Sequence, residues 1–182
     1  TKSLTQRSTS FEKNRVMSLL QQSIESGIQP DDGLDETYKE IKNQFKRFVD
    51  EEITPFAHEW HMNDDYIPLE IIKKMSDLGV FGLTIPEEYG GLGLEKKAMC
   101  IVSEELSRGW VGVGSLGTRS EIAAELILIG GSEEQKQKYL SKISNGEIFP
   151  TAVFSEPDIG SDLAHLKTRG NAKGDKYLIN GN

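Results

Sequence analysis

The sequence predicts a mainly α fold that gives way, near its end, to the start of an antiparallel β-domain. Three observations predict it. Apolar residues recur at three- and four-residue spacing from about residue 10 to residue 143. Glycine and proline clusters of the kind that stop helices stand between these segments. After Gly146 the pattern changes to short strand-like runs, and Lys173-Gly-Asp175 offers a hairpin turn.

The elements follow in order. Thr9 and Glu12 have capping-box spacing, and Val16, Leu19, Leu20 and Ile24 form a narrow stripe, so a helix runs from about 10 to 26. Gly27 stops it, and residues 30–33 (Pro-Asp-Asp-Gly) read as a linker. A lone stripe has to dock on this domain, on another subunit or on further chain. Asp35 caps a second helix with Tyr38, Ile41, Phe45, Phe48 and Val49 on one face. Pro55 interrupts or kinks it, with the pattern resuming through Trp60. Pro68 begins a third helix, with Ile71, Ile72, Met75 and Leu78 inward and Gly79 at its end.

Residues 86–93 read as a loop, and a further helix covers about 95–107. Residues 111–129 are the most apolar segment. Their glycine and alanine content predicts a central helix packed closely on all sides, with a break allowed at the glycines. Gly130-Gly131 ends it. Ser132 and Gln135 form a second capping box, opening a helix to about Ile143. Strands are expected at 148–155, 166–172 and 176–180. The expected organisation is therefore an N-terminal extension (1–34), a helical domain (35–146) and the beginning of a β-domain (147–182). So small a sheet is seldom stable alone, so the sequence reads as a fragment.

Composition narrows the function classes. The chain has 182 residues, 36% hydrophobic and 27% charged, which suits a soluble globular protein. A net charge of −8, with basic residues scattered among acidic ones, argues against a nucleic-acid surface. No apolar run approaches the roughly 20 residues of a membrane span, and the N-terminus lacks a signal peptide's apolar core. Cys100, the one cysteine, cannot form an internal disulfide; its apolar neighbours predict a buried structural thiol, and a reducing cytoplasm follows as the natural compartment.

The run Phe154-Ser-Glu-Pro-Asp-Ile-Gly-Ser-Asp162 carries the most chemistry. Pro157 fixes φ and removes a donor, and Gly160 permits a turn closed to other residues. Such a turn can aim several backbone N–H groups one way; with the hydroxyls of Ser155 and Ser161 it suits an anionic ligand, or else it is an ordinary surface turn. Other candidates read as structural. Gly112-Val-Gly-Ser-Leu-Gly117 is a literal GxGxxG, but it follows a helix rather than a strand, so close helix packing explains it better. His58 and His61 lack further metal ligands. Glu104 and Glu105 are adjacent on a helix and point in different directions. Arg119 opens an apolar helix, where a guanidinium usually has an anionic partner; it pairs with an anionic ligand, pairs with Glu121 or Glu125, or is simply exposed to solvent.

The run from Phe154 to Asp162 resembles the T/S-E-P-x-x-G-S-D signature of the acyl-CoA dehydrogenase family, flavoenzymes that desaturate acyl thioesters. Further matches lie in order: Leu78-Gly-Val-Phe-Gly-Leu-Thr-Ile-Pro-Glu-Glu-Tyr-Gly-Gly-Leu-Gly93, Ser103-Glu-Glu-Leu-Ser107, Gly131-Ser-Glu-Glu-Gln-Lys136, Leu166-Lys-Thr-Arg169 and Gly174-Asp-Lys-Tyr-Leu-Ile-Asn-Gly181. The resemblance covers roughly residues 35 to 182. It implies a helical N-terminal domain and the opening of a middle β-domain, with FAD as cofactor. It places Phe154 and Ser155 at the isoalloxazine ring, and Gly160 and Ser161 near the pyrophosphate. Ser161 also touches the acyl-CoA. The central helix lines the acyl end of the family's pocket, so Arg119 is expected to pair with the free carboxylate of a dicarboxylic acyl-CoA. The family's catalytic glutamate belongs to a C-terminal bundle, so no residue here is assigned as catalytic, and the chain alone is expected to be inactive. The resemblance further implies electron-transfer flavoprotein as acceptor and a homo-oligomeric whole protein. An oxygen-using oxidase and a flavin-free helical scaffold are the alternatives.

Overall fold

Prolines, capping side chains and left-handed glycines set the helix boundaries. A computed structural model describes residues 10–26, 33–151 and 153–181, and the chain divides into two compact units, Thr1–Glu40 and Ile41–Asn182, the division falling inside a helix. In the first unit, α1 covers Ser10–Ser26, as the periodicity predicts. Its stripe of Val16, Leu19, Leu20 and Ile24 is exposed. The expected cap at Thr9 and the linker from Gly27 to residue 32 lie outside the described residues. α2, Glu36–Glu52, begins where the Asp35 carboxylate accepts the Tyr38 amide at 3.0 Å.

In the second unit, the rest of α2 buries Phe45, Phe48 and Val49. α3, Thr54–Met62, has Pro55 in its first turn, where a missing N–H costs no helical bond, and Ile53 is fully buried at the corner. α4, Leu69–Asp77, follows Pro68 and buries Ile71 and Met75; Gly79, at φ 78°, turns the chain out of it. α5 is Lys96–Gly109, α6 is Val111–Gly130 and α7 is Glu133–Ser144. The expected capping box opens α7: Ser132 Oγ accepts the Gln135 amide at 3.3 Å, and Gln135 Oε1 accepts the Ser132 amide at 2.8 Å.

Between α4 and α5 the chain doubles back on itself. The amides of Leu92, Gly93 and Leu94 donate to the carbonyls of Gly82, Ile85 and Leu83 at 2.8–2.9 Å. The fit is so close that a Cβ on Gly91 would lie 2.0 Å from the Ile85 carbonyl oxygen. This loop contributes to two apolar cores, Phe81 and Leu83 to one and Ile85 and Tyr89 to the other. The larger joins Phe45, Val49, Ile53, Met75, Phe81, Val102, Leu106 and Val113 from α2 through α6. The smaller joins Ile85, Tyr89, Ala124, Leu140 and Ile143 and fixes α7. Each such large side chain withdrawn from water contributes about 1.5–3 kcal/mol. At the rim of the smaller core, the Tyr89 hydroxyl donates to Glu133 at 3.1 and 3.2 Å; burial first, then that carboxylate, pushes the phenol pKa up.

One polar seam ties α2 to α5. Glu105, only 5% exposed, faces Arg108 Nε at 2.9 Å, and the same guanidinium reaches Asp50 at 2.8 Å. Hydrogen bonds from Lys46 and Arg108 hold the Asp50 carboxyl below its usual range. Glu104 beside it is exposed, as adjacent helix positions require.

The structure corrects four expectations. α6 runs unbroken through its glycines, and it is not packed on all sides: Val113, Gly114, Gly117, Ser120 and Ala124 are buried, whereas Val111 is 70% and Ile129 77% exposed. Its neighbours approach closest at the glycines, with Val113 buried and Leu116, Ile127 and Leu128 packed at the edges of the two cores. Cys100 is exposed, because the inward face of α5 is carried by Ala98, Met99, Ile101 and Val102. The described residues of 148–155 form no strand. Among the described residues no other strand pairs with them; instead Phe149 packs edge-on against Phe81, with ring centroids 5.2 Å apart. Finally, the strand expected from 166 begins only at Arg169. β1, Arg169–Lys173, pairs antiparallel with β2, Lys176–Asn180, from Arg169↔Asn180 to Lys173↔Lys176; Gly174 turns between them at φ 65°, and every strand residue is exposed.

Gly91→Ala is expected to destabilise the fold by about 1–3 kcal/mol through overpacking against Ile85. Gly130→Ala, at a helix end with open space around its Cβ, is expected to stabilise by roughly 0.5 kcal/mol. Urea denaturation of both variants checks the contrast.

Candidate functional site

The residues between the helical part and the hairpin carry little apolar burial. Ile159 is the only buried side chain among the described residues 153–168, so polar contacts hold this segment together. Glu156 and Ile159 exchange two backbone hydrogen bonds, at 2.9 and 3.0 Å, around a corner made by Pro157 and Asp158. Proline suits the second position of such a turn because its ring fixes φ. The Glu156 side chain then reaches toward the start of the hairpin. Its Oε2 accepts the Lys167 amide at 2.9 Å and its Oε1 accepts the Thr168 amide at 2.8 Å. Lys167 Nζ returns to the Asp158 carboxylate at 3.0 Å. The Thr168 hydroxyl, then the amide protons of Lys167 and Thr168, hold the Glu156 carboxyl below its usual range. His165 Nδ1 lies 2.7 Å from Asp162 in the exposed turn between.

Two hollows flank this clasp. The larger, about 410 Å³, is lined by Val153, Ser155, Glu156, Leu166, Thr168, Ile179 and Gly181. The smaller, about 100 Å³, is lined by Glu156, Pro157, Asp158, Lys167, Thr168 and Gly181. A Cβ on Gly181 would lie 2.2 Å from Thr168 Oγ1, so only glycine lets the end of the hairpin come this close. Apolar walls with a few polar groups suit a ligand that has a flat apolar body and a hydrogen-bonding edge.

The structure brings only part of the expected site together. Ser155 is exposed and lines the larger hollow, and its hydroxyl makes no hydrogen bond among the described residues. Phe154 beside it is half-buried. Gly160 and Ser161 lie past Ile159, exposed and outside both hollows. Gly160 is not the pivot its residue type predicts: its φ is not positive and open space surrounds its Cβ position, so the Pro157-Asp158 corner, not this glycine, makes the turn.

Arg119 stands on α6. It is exposed and makes no ion pair among the described residues. Its expected intrachain partners are occupied: Lys96 Nζ lies 3.0 Å from Glu125 and 3.6 Å from Glu121. The hydrogen bond to Glu125 leads the effects that raise the Lys96 pKa. The helix neighbours of Arg119 at three- and four-residue spacing are Ser115, Leu116, Ile122 and Ala123, none of them acidic. His58 and His61 are exposed on α3, and among the described residues no three His, Cys, Asp or Glu side chains are grouped to hold a metal. Nor is any helix among them long and apolar enough to cross a membrane.

A family model for the acyl-CoA dehydrogenase N-terminal domain matches residues 35–147. The chain belongs to the acyl-CoA dehydrogenase family. It is 60% identical over 150 residues to (2S)-methylsuccinyl-CoA dehydrogenase of Cereibacter sphaeroides, a match that covers 82% of this chain and 27% of that protein. Among solved structures it is similar to a glutaryl-coenzyme A dehydrogenase in complex with glutaryl-CoA, with a TM-score of 0.74 and 36% identity over 83% of this chain and 39% of that one. It is also similar to a glutaryl-CoA dehydrogenase from Mycobacterium smegmatis in complex with FADH2, with a TM-score of 0.75 and 29% identity over 81% of this chain and 38% of that one.

Sequence reasoning gave no role to Glu156, Lys167 or Thr168. Residues eleven and twelve apart have no local spacing rule to connect them. The one signal was an acid placed directly before a turn proline, with unpaired amides to satisfy beyond it.

Two measurements test the site as a structure. Ser155→Ala and Arg119→Ala are each expected to stay within about 0.5 kcal/mol of the parent in denaturant unfolding, because both side chains are exposed and unpartnered. The Glu156 clasp depends on pH with a fixed sign. Its pKa is depressed on folding, so its contribution is complete at neutral pH and is lost as pH falls below the ordinary glutamate range and through the depressed value. The Lys167 and Thr168 amide resonances should move together in an acid titration followed by NMR, at a pH below the ordinary glutamate range.

Proposed function

We propose that the whole protein is an FAD-dependent acyl-CoA dehydrogenase that introduces an α,β double bond into a dicarboxylic acyl-CoA, with 2-methylsuccinyl-CoA going to mesaconyl-CoA. The observation that carries the substrate class is Arg119: a guanidinium on α6 with no anionic partner among the described residues, the two nearby glutamates being held by Lys96. The 60% identity to (2S)-methylsuccinyl-CoA dehydrogenase supports the same class. A free carboxylate on the acyl chain supplies the missing anion. Inside a closed pocket such a pair discriminates against plain acyl chains by a few kcal/mol.

The residues between 153 and 168 fit a flavin. Ser155 offers an unpaired hydroxyl beside apolar walls, with Phe154 next to it. The amides of Gly160 and Ser161 donate no hydrogen bond among the described residues and are open to a pyrophosphate, and Ser161 is also open to the acyl-CoA. Bound FAD would take the two electrons of the desaturation and pass them to electron-transfer flavoprotein. This chain's part is to seat the flavin and to hold the acyl end of the substrate. None of its residues is assigned as the base, so turnover by the 182 residues alone is not expected.

The test uses the whole protein. It should purify yellow with FAD and reduce electron-transfer flavoprotein with 2-methylsuccinyl-CoA, without matching oxygen uptake. Arg119→Ala should lower kcat/KM for that substrate by about 10- to 100-fold, equivalent to one buried charged pair, while leaving a monocarboxylic acyl-CoA nearly unaffected. Unchanged selectivity would refute the role of Arg119; oxygen uptake equal to turnover would favour an oxidase.

A further inference from the structure

We infer that Glu156 is a positioning residue for the flavin: by gripping the Lys167 and Thr168 amides, its carboxylate fixes the corner from which Ser155 faces the larger hollow. The inference rests on the flavin reading above. Three observations carry it. First, Glu156 lines both hollows, together with Gly181 and with Thr168, whose amide it grips. Second, residues 160–166 are all exposed and Ile159 is the one buried side chain between Glu156 and Lys167, so little apolar packing holds the loop that Glu156 closes. Third, the grip uses both carboxylate oxygens at once, at 2.9 and 2.8 Å, each on a separate backbone amide. Charge-assisted bonds of this kind are stronger than neutral ones.

The chemistry is specific to a carboxylate. A glutamine has one acceptor oxygen, and its NH2 would face an amide donor, so one bond is lost and a donor–donor clash is added. An aspartate is one methylene too short to span the same distance. The same bonds keep the group ionised at neutral pH, so Glu156 holds backbone and does not itself exchange a proton with a substrate.

The experiment takes the full-length protein as parent, Glu156→Gln and Glu156→Asp. FAD is removed and titrated back while flavin fluorescence is followed. Amide exchange at Lys167 and Thr168 and the melting temperature are recorded on the apo-proteins. A positioning role predicts at least tenfold weaker FAD binding in both variants and faster exchange at the two amides, with apo melting temperatures unchanged because this segment opens locally while the packed helices set the global transition. A merely structural role would lower the melting temperature in proportion, and that result overturns the inference. So does parent-like FAD affinity in both variants. If the parent itself binds no FAD, the flavin reading fails, and this inference fails with it. If the parent binds FAD and the variants match it, only this inference fails.

Discussion

The close approach of α5 and α6 decides what the rest of the helical part presents. At Gly114 a methyl group would lie 2.1 Å from Ser107 Oγ, and at Gly117 it would lie 3.0 Å from Val80 and 3.1 Å from Met99. Large apolar residues occur all round α6, so hydrophobicity alone does not choose its inward face. The glycines do: Gly114 lets the backbones of α5 and α6 come this near, and Gly117 makes room for the Val80 and Met99 side chains. With Gly114, Gly117, Ser120 and Ala124 inward, the helical step of about 100° per residue turns Arg119 outward. The open guanidinium is thus a geometric result of small residues two and five positions before it.

Two kinds of adhesion operate in the second unit. Residues 41–146 are held mainly by apolar burial, with one polar seam in which buried Glu105 is matched by Arg108. Such a buried acid is tolerable only with its charge partner in place. Residues 153–168 reverse the balance: one buried isoleucine, and otherwise carboxylates, amides and a lysine. Segments of the second kind open locally at lower free energy than packed helices do. A corner built this way can rearrange without disturbing the helical core.

Much of the helical fold was legible in the sequence because its determinants are local. Asp35, Pro55, Pro68, Gly79 and the Ser132/Gln135 box each mark a boundary within a few residues, and the structure keeps all of them. What was not legible depends on distant partners. Residues 148–155 have strand-like composition, but a strand exists only where another pairs with it. Cys100 sits among apolar residues, yet the helical phase set by Met99 and Val102 turns it outward. The candidate loop was found from its proline and hydroxyls, while its principal tie, from Glu156 to the amides eleven and twelve residues on, has no local signature.

The hairpin has a consequence of its own. A strand with one face in a core cannot slide, since a shift by one residue would exchange its inner and outer side chains. Here every residue of both strands is exposed, so no core resists such a slip. The alignment of the ribbon falls to the bend at Gly174 and Asp175. That bend therefore decides, from the far end of the ribbon, that Ile179 rather than its neighbour stands beside Ser155.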